Sequence, residues 1–375
     1  FMSASVTAGD DYWPELRFGD WSESAETLHM WTQIIGKIRM VQSPWMNHSW
    51  HVTLYVTPRG LTTGTIPHGN LTFSIDFDFI DHQLILRSCD GRVERVALEP
   101  QTTADFYGSV MECLDRLGLP VRINVVPNEV EQAIPFPEDR VHKTYDPLAI
   151  NRFWRVLYQA DRVFRLFRAE FPGKASPSHF FWGSFDLAVT RFSGRPAPDH
   201  PGGLPNMPLW VAQEAYSQEV SSAGFWPGGA AYPEAIFYSY AYPSPPGFGE
   251  AAIEPSAAFW SPELGEFVLP YEAVRTAEDP DRVLLAFLNS TYDAAANLGR
   301  WDLGGCERRH FPPKCFPVLS PPVFVRGPMQ TGRHSQSLRF SVSQKTVPLI
   351  CQLDIGSPGH PSGTCFASPV YRAEV

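Results

Sequence analysis

Phe73-Ser74-Ile75-Asp76-Phe77-Asp78-Phe79 alternates apolar with polar side chains along its whole length. Successive side chains of a strand point to opposite faces, so this pattern predicts a strand in an antiparallel sheet that is covered on one side. Its neighbours extend the reading. Asp90-Gly91 is a hairpin turn joining strands 84–88 and 93–98, and the alternation of His51, Thr53, Tyr55 and Thr57 against Val52, Leu54 and Val56 predicts a strand before it. Helices flank the set. Asp20-Trp21-Ser22-Glu23 resembles a capping box opening a helix whose Leu28, Trp31, Ile34, Ile35 and Ile38 form a buried stripe. His29, Gln33 and Lys37 run along another side, as a solvated face or as a polar wall. Thr102 or Thr103 caps a closing helix that stops at Gly118.

The same order returns in residues 150–299. A helix carries Phe153, Leu157, Ala160, Val163, Phe164 and Phe167 inward; Gly173-Lys174 takes the place of Gly36-Lys37; Ile236–Tyr242 takes the place of 73–79; a hairpin turns about Leu264-Gly265; and residues 280–298 form the closing helix. The expected fold is therefore α+β, an internally duplicated α-β(4)-α unit with antiparallel sheets, helices packed on one face and a pseudo-two-fold axis. The expected boundaries are a first repeat at 12–126, a linker at 127–147, a second repeat at 148–300 and a disordered or atypical extension at 301–375. Pro/Gly-rich excursions near 195–208, 227–233 and 243–249 are expected to be lids or site loops.

Bulk properties narrow the function. The chain has 375 residues, 43% of them hydrophobic, with 40 acidic against 30 basic residues and a net charge of −10. Such a chain can fill a large core, and its charge argues against nucleic acid or an anionic membrane as principal partner. A small-molecule ligand or substrate is expected, with the chain a monomer or homodimer. The 6 cysteines form no C-x-x-C pair, which together with the lack of a leader pattern suits a cytoplasmic protein. No dinucleotide fingerprint, phosphate loop, nucleophile elbow or H-E-x-x-H motif is present.

What remains is a density of His, Trp and Tyr at corresponding points of the two copies. His48 and His51 flank Trp50 where the first sheet begins, and His179 with Trp182 sits where the second begins. Imidazole is the commonest metal ligand near neutral pH, so His48, His51, His179 and Glu219 form a candidate ligand set for a transition metal or haem, against a structural role for the histidines. Glu219 opens the small-residue run Glu219–Gly229, with Ser221 available for hydrogen bonding and Trp226 as a flat wall, or the run is a tightly packed strand followed by a Pro-Gly turn. Asp186 and Arg191 are expected to pair along one strand, fixing a substrate carboxylate or simply each other, while Asp76 and Asp78 form a carboxylate pair or are simply solvated. Tyr238 and Tyr240 stand where the first copy carries polar side chains.

The stretches 27–37, 59–63, 75–82, 179–187 and 219–229 resemble an uncharacterised family of bacterial and fungal proteins, a domain of unknown function, over roughly residues 12–300. The resemblance implies no activity. It also implies a His before the glutamate, where this chain has Gln218. Two functions are expected. In the first, an enzyme acts on a small organic molecule in an aromatic cleft between the repeats, with His51, His179, Glu219 and Asp186 catalytic and with His48, Trp50, Trp182, Arg191, Ser221, Trp226, Tyr238 and Tyr240 binding. In the second, a non-catalytic module holds an apolar or aromatic ligand and its histidines are structural.

Overall fold

A computed structural model describes residues 12–302, so the expected C-terminal extension lies almost wholly outside the described residues. The opening helix α1 (Ser22–Gln42) is almost entirely buried, Trp31, Ile34, Ile35 and Ile38 completely so. No capping box starts it: Asp20 belongs to a preceding 3-10 turn, Trp21 is the N-cap, and no side chain caps the helix. The burial of Trp21 and of the following turns holds the helix end instead.

Strands β1 (Tyr55–Thr57), β2 (Gly60–Thr62), β3 (Ile66–His68), β4 (Leu71–Asp78), β5 (Gln83–Ser88) and β6 (Val93–Ala97) form an antiparallel sheet in the order β1-β2-β4-β5-β6, with β3 paired on the side of β4. Only the end of the 51–57 alternation is strand, because residues 47–53 are spent on turns. On β4 the predicted alternation holds: Phe73, Ile75 and Phe77 are buried. Asp76 and Asp78 are neither solvated nor a carboxylate pair. Asp76 meets Arg87 and Thr62, and Asp78 takes Arg59 at 2.6 Å. Helix α2 (Thr103–Arg116) closes this half, with Thr102 Oγ1 accepting the Asp105 N–H at 3.1 Å.

Residues 127–147 are packed rather than loose. Phe136 is fully buried, and the carbonyls of Asp139 and His142 accept the first amides of α2. Helix α3 (Pro147–Ala169) follows, capped by Asp146. The second sheet contains β7 (His179–Phe181), β8 (Asp186–Pro196), β9 (Gln218–Trp226), β10 (Ile236–Tyr242), β11 (Phe259–Ser261) and β12 (Glu266–Pro270), ordered β11-β12-β10-β9-β8-β7 and antiparallel throughout. Helix α4 (Leu209–Ala215) lies in the excursion between β8 and β9, and α5 (Tyr271–Arg275) and α6 (Pro280–Leu298) close the half. Each sheet has six strands where four were expected, the second is not a simple meander because β10 pairs with β12 and not with β11, and the halves differ at β3, β11 and helix α4, so the expected pseudo-two-fold duplication is not confirmed.

The two sheets are joined at their edges: Leu54 and Phe180 exchange backbone hydrogen bonds of 2.9 and 2.7 Å. One continuous set of buried apolar side chains runs from Trp13 to Ala296 and draws on both halves. Register then fixes what each face of the second sheet carries. Leu187, Val189, Ala223, Phe225, Phe237, Phe267 and Leu269 share the face packed under α3 and α6, whereas Asp186, Thr190, Ser222, Tyr238, Tyr240 and Glu266 share the opposite one. No described helix is long and apolar enough to cross a membrane.

Candidate functional site

The face of the second sheet turned away from α3 and α6 carries an acidic and tyrosine-rich cluster. Asp186, at the start of β8, is buried, and its two carboxyl oxygens accept from the hydroxyls of Tyr238 and Ser184. Tyr238 lies two strands away on β10 because Gly224 intervenes on β9: a Cβ there would sit 2.3 Å from the Tyr238 hydroxyl oxygen. Next along β10, the hydroxyls of Tyr240 and Tyr216 are 2.8 Å apart, and Tyr238 and Tyr240 stack with centroids 6.1 Å apart. Glu266 enters from β12 on the same face. Glu129 arrives from the segment between the halves. It holds a left-handed backbone (φ 59), its N–H donates to Pro205 O at 2.8 Å, and its carboxyl lies against Gly183.

The charge balance of this cluster is unusual. Neither Glu129 nor Glu266 has a hydrogen-bond or ion-pair partner for its carboxyl among the described residues, yet both side chains keep partial access to solvent. Desolvation, followed by the charge of Asp186, pushes each of them up to about 7, and desolvation raises Asp186 as well. The Tyr216 phenol is pushed up to about 12 by burial, and burial also holds Tyr238 and Tyr240 well above the usual phenol range. The excursion after β8 packs beside these groups: His200 stacks on Tyr216 at 4.5 Å, Tyr242 donates to Pro198 O at 3.1 Å, and the Asn206 amide donates to Val130 O at 3.0 Å.

The polar side of α1 adjoins the cluster. Gln33 and Lys37 are buried; Gln33 exchanges hydrogen bonds of 2.8 Å with the Asn128 backbone, and Lys37 donates to the Asn128 side chain. His29 Nε2 donates to Gly183 O at 2.8 Å. Burial lowers Lys37 to about 8 and His29 to about 4.

A second polar cluster lies where the sheets join, and here the two imidazole-and-indole corners meet. Trp182 Nε1 donates to Val52 O at 2.8 Å, its ring fills the space beside Gly36, and Trp50 and His179 pack edge-on at 6.3 Å. His48 Nδ1 donates to Ala215 O at 2.9 Å, leaving Nε2 to accept from Lys174 Nζ at 2.6 Å; His51 Nδ1 accepts the Met46 N–H at 3.3 Å. Both ring nitrogens of His48 and Nδ1 of His51 are thus hydrogen-bonded, and burial lowers both imidazoles. His179 is buried with Nδ1 unpartnered, and desolvation followed by the charge of Arg39 lowers it to about 3.

The metal set does not assemble. Among the described residues no three His, Cys, Asp or Glu side chains are grouped to hold an ion. Glu219 lies at the edge of a cleft of about 370 Å³. Its Oε2 takes Ser193 at 2.9 Å and Arg195 at 2.6 Å, and Arg195 also donates to Gly299 O and Arg300 O at the end of α6. These bonds clamp β8 and β9 to the end of α6. Arg191 does not pair with Asp186 either, because an odd separation along a strand places them on opposite faces. Its guanidinium stacks over Phe167 at 3.4 Å and Tyr292 at 4.3 Å, under the helices with buried Ser221. Trp226 stays on the face of the acidic cluster, 6.3 Å from Tyr232. Of the sequence candidates, Asp186, Tyr238, Tyr240 and Trp226 share that face; Glu129, Glu266 and Tyr216 carried no sequence signal, although Lys37 and His29 did.

The chain belongs to the family of unknown function DUF5996, which matches residues 13–308. No curated protein and no solved structure is similar to it.

Proposed function

We propose that the protein is an enzyme performing acid–base chemistry on a small organic molecule at the cluster of Glu129, Asp186 and Glu266. One observation carries this reading: three carboxyls from distant segments gather on one sheet face without a cationic partner among the described residues, and two of them are pushed up to about 7. A group whose pKa lies at the working pH serves best as proton donor or acceptor, since both its forms are populated. Glu129 and Glu266 are the acid and base of this reading. Asp186 is fixed by two hydroxyl donors, so its charge tunes the other two. The uncompensated negative charge and the rings of Tyr216, Tyr238 and Tyr240 favour a substrate bearing an amine or other organic cation, which draws on both charge attraction and cation–π contact.

The test is a panel of small amines incubated with the protein and followed by mass spectrometry. Turnover should show a bell-shaped kcat/KM profile centred near pH 7, and Glu129→Gln or Glu266→Gln should each cut it by about 10²–10⁴-fold. Stoichiometric binding with every ligand recovered unchanged would favour the non-catalytic module instead.

A further inference from the structure

We infer that the joint between the two sheets holds a second, oppositely charged site: Arg39, with His179 beside it, binds the carboxylate or phosphate group of a small ligand against Tyr55 and Trp50.

Arg39 lies near the end of α1 and is 9% exposed, and its Nε and Nη1 are both buried without a hydrogen-bond partner. Among the described residues no carboxylate pairs with it. Its only described contact of this kind is the Tyr55 ring, with Cζ 5.0 Å from the centroid. His179, 1% exposed, has its Nδ1 unpartnered and its ring 6.5 Å from that of Tyr55 and 6.3 Å from that of Trp50. The charge of Arg39 is felt by His179 and by His51 alike, and Arg168 adds to the positive field at His179. Glu214, whose charge is felt by His51, is occupied by the His48 N–H at 3.0 Å from both its oxygens. A buried guanidinium without an anion is costly, and its N–H donors match the acceptor atoms of an oxyanion. The ring faces of Tyr55 and Trp50 supply a flat apolar wall for the remainder of the ligand.

The full chain is titrated with sodium benzoate and with sodium phosphate, with sodium chloride at matched ionic strength as control, following tryptophan fluorescence and the unfolding temperature. Saturable binding of either oxyanion is expected, weakened about 10–100-fold in Arg39→Met, the range for hydrogen bonds to a charged group. Arg39→Met should itself unfold no earlier than the parent in oxyanion-free buffer, because the lost guanidinium had no partner. If Arg39→Met does not fold, Arg39→Lys keeps the charge but loses the guanidinium and should still bind at least several-fold more weakly. A response that only follows ionic strength, no saturation with either oxyanion, or undiminished binding in the variants would overturn the assignment.

Discussion

Replacing Glu266 by Gln should stabilise the protein at pH 8 and leave its stability nearly unchanged at pH 4.5. A carboxyl raised from its ordinary 4.5 to about 7 binds its proton more tightly when folded. Its favourable contribution is therefore complete below about 4.5 and is lost as pH rises through about 7. At 1.36 kcal/mol per pH unit, the ionised side chain costs the fold roughly 3 kcal/mol at pH 8, which the neutral amide avoids. His29 and His179, lowered to about 4 and about 3, act in the opposite sense: the folded state resists their protonation, so stability rises with pH up to about 6.5. The raw curve mixes these effects, but the difference between parent and variant cancels them. Urea unfolding at pH 4.5, 6, 7 and 8 with a common m value gives that difference directly. Glu129→Gln should follow the same course, and Asp186→Asn should move the window of either glutamate to lower pH. A difference independent of pH, or a variant less stable than the parent at pH 8, would refute the desolvated, unpaired carboxyl.

Three substitutions probe the framework. Gly36→Ala places a methyl 2.1–2.4 Å from Trp182 ring atoms; overpacking of about 1–3 kcal/mol outweighs the ~1 kcal/mol helix preference for alanine, so calorimetry should show a lower unfolding temperature where an exposed helical glycine would give a higher one. Gly224→Ala meets the Leu187 carbonyl oxygen at 2.5 Å as well as the Tyr238 hydroxyl, so backbone has to move, and the loss should exceed that of Gly36→Ala in the same assay. Tyr238→Phe removes a donor from buried Asp186 and should cost about 1.5–3 kcal/mol at pH 8, with a smaller loss at pH 4.5 where the carboxyl is closer to neutral; equal losses at both would show that the hydroxyl does not serve the charged form.

Strand and helix identity was written in local periodicity. The 73–79 alternation, the Asp90-Gly91 turn, the closing helices and the strand Ile236–Tyr242 follow from which side chains share a face, and solvent exclusion at one face is enough to specify them. Asp186, Tyr238 and Tyr240 were visible for the same reason, as polar or amphipathic groups on the open face of readable strands. Glu129 was not: it sits in a Pro- and charge-rich stretch that reads as a solvated linker, and only its contact with Gly183 and Pro205 reveals that it is drawn into the acidic cluster. Glu266 reads as an ordinary hairpin residue. Local sequence records which face a side chain occupies, but whether a carboxylate finds a cation, a hydroxyl or nothing depends on segments far apart in the chain, as with Asp186 and Tyr238. For the same reason His48, His51 and Glu219 looked like ligands, while the tertiary structure gave each a neighbouring backbone group or arginine, and it left Arg39 and His179 without one.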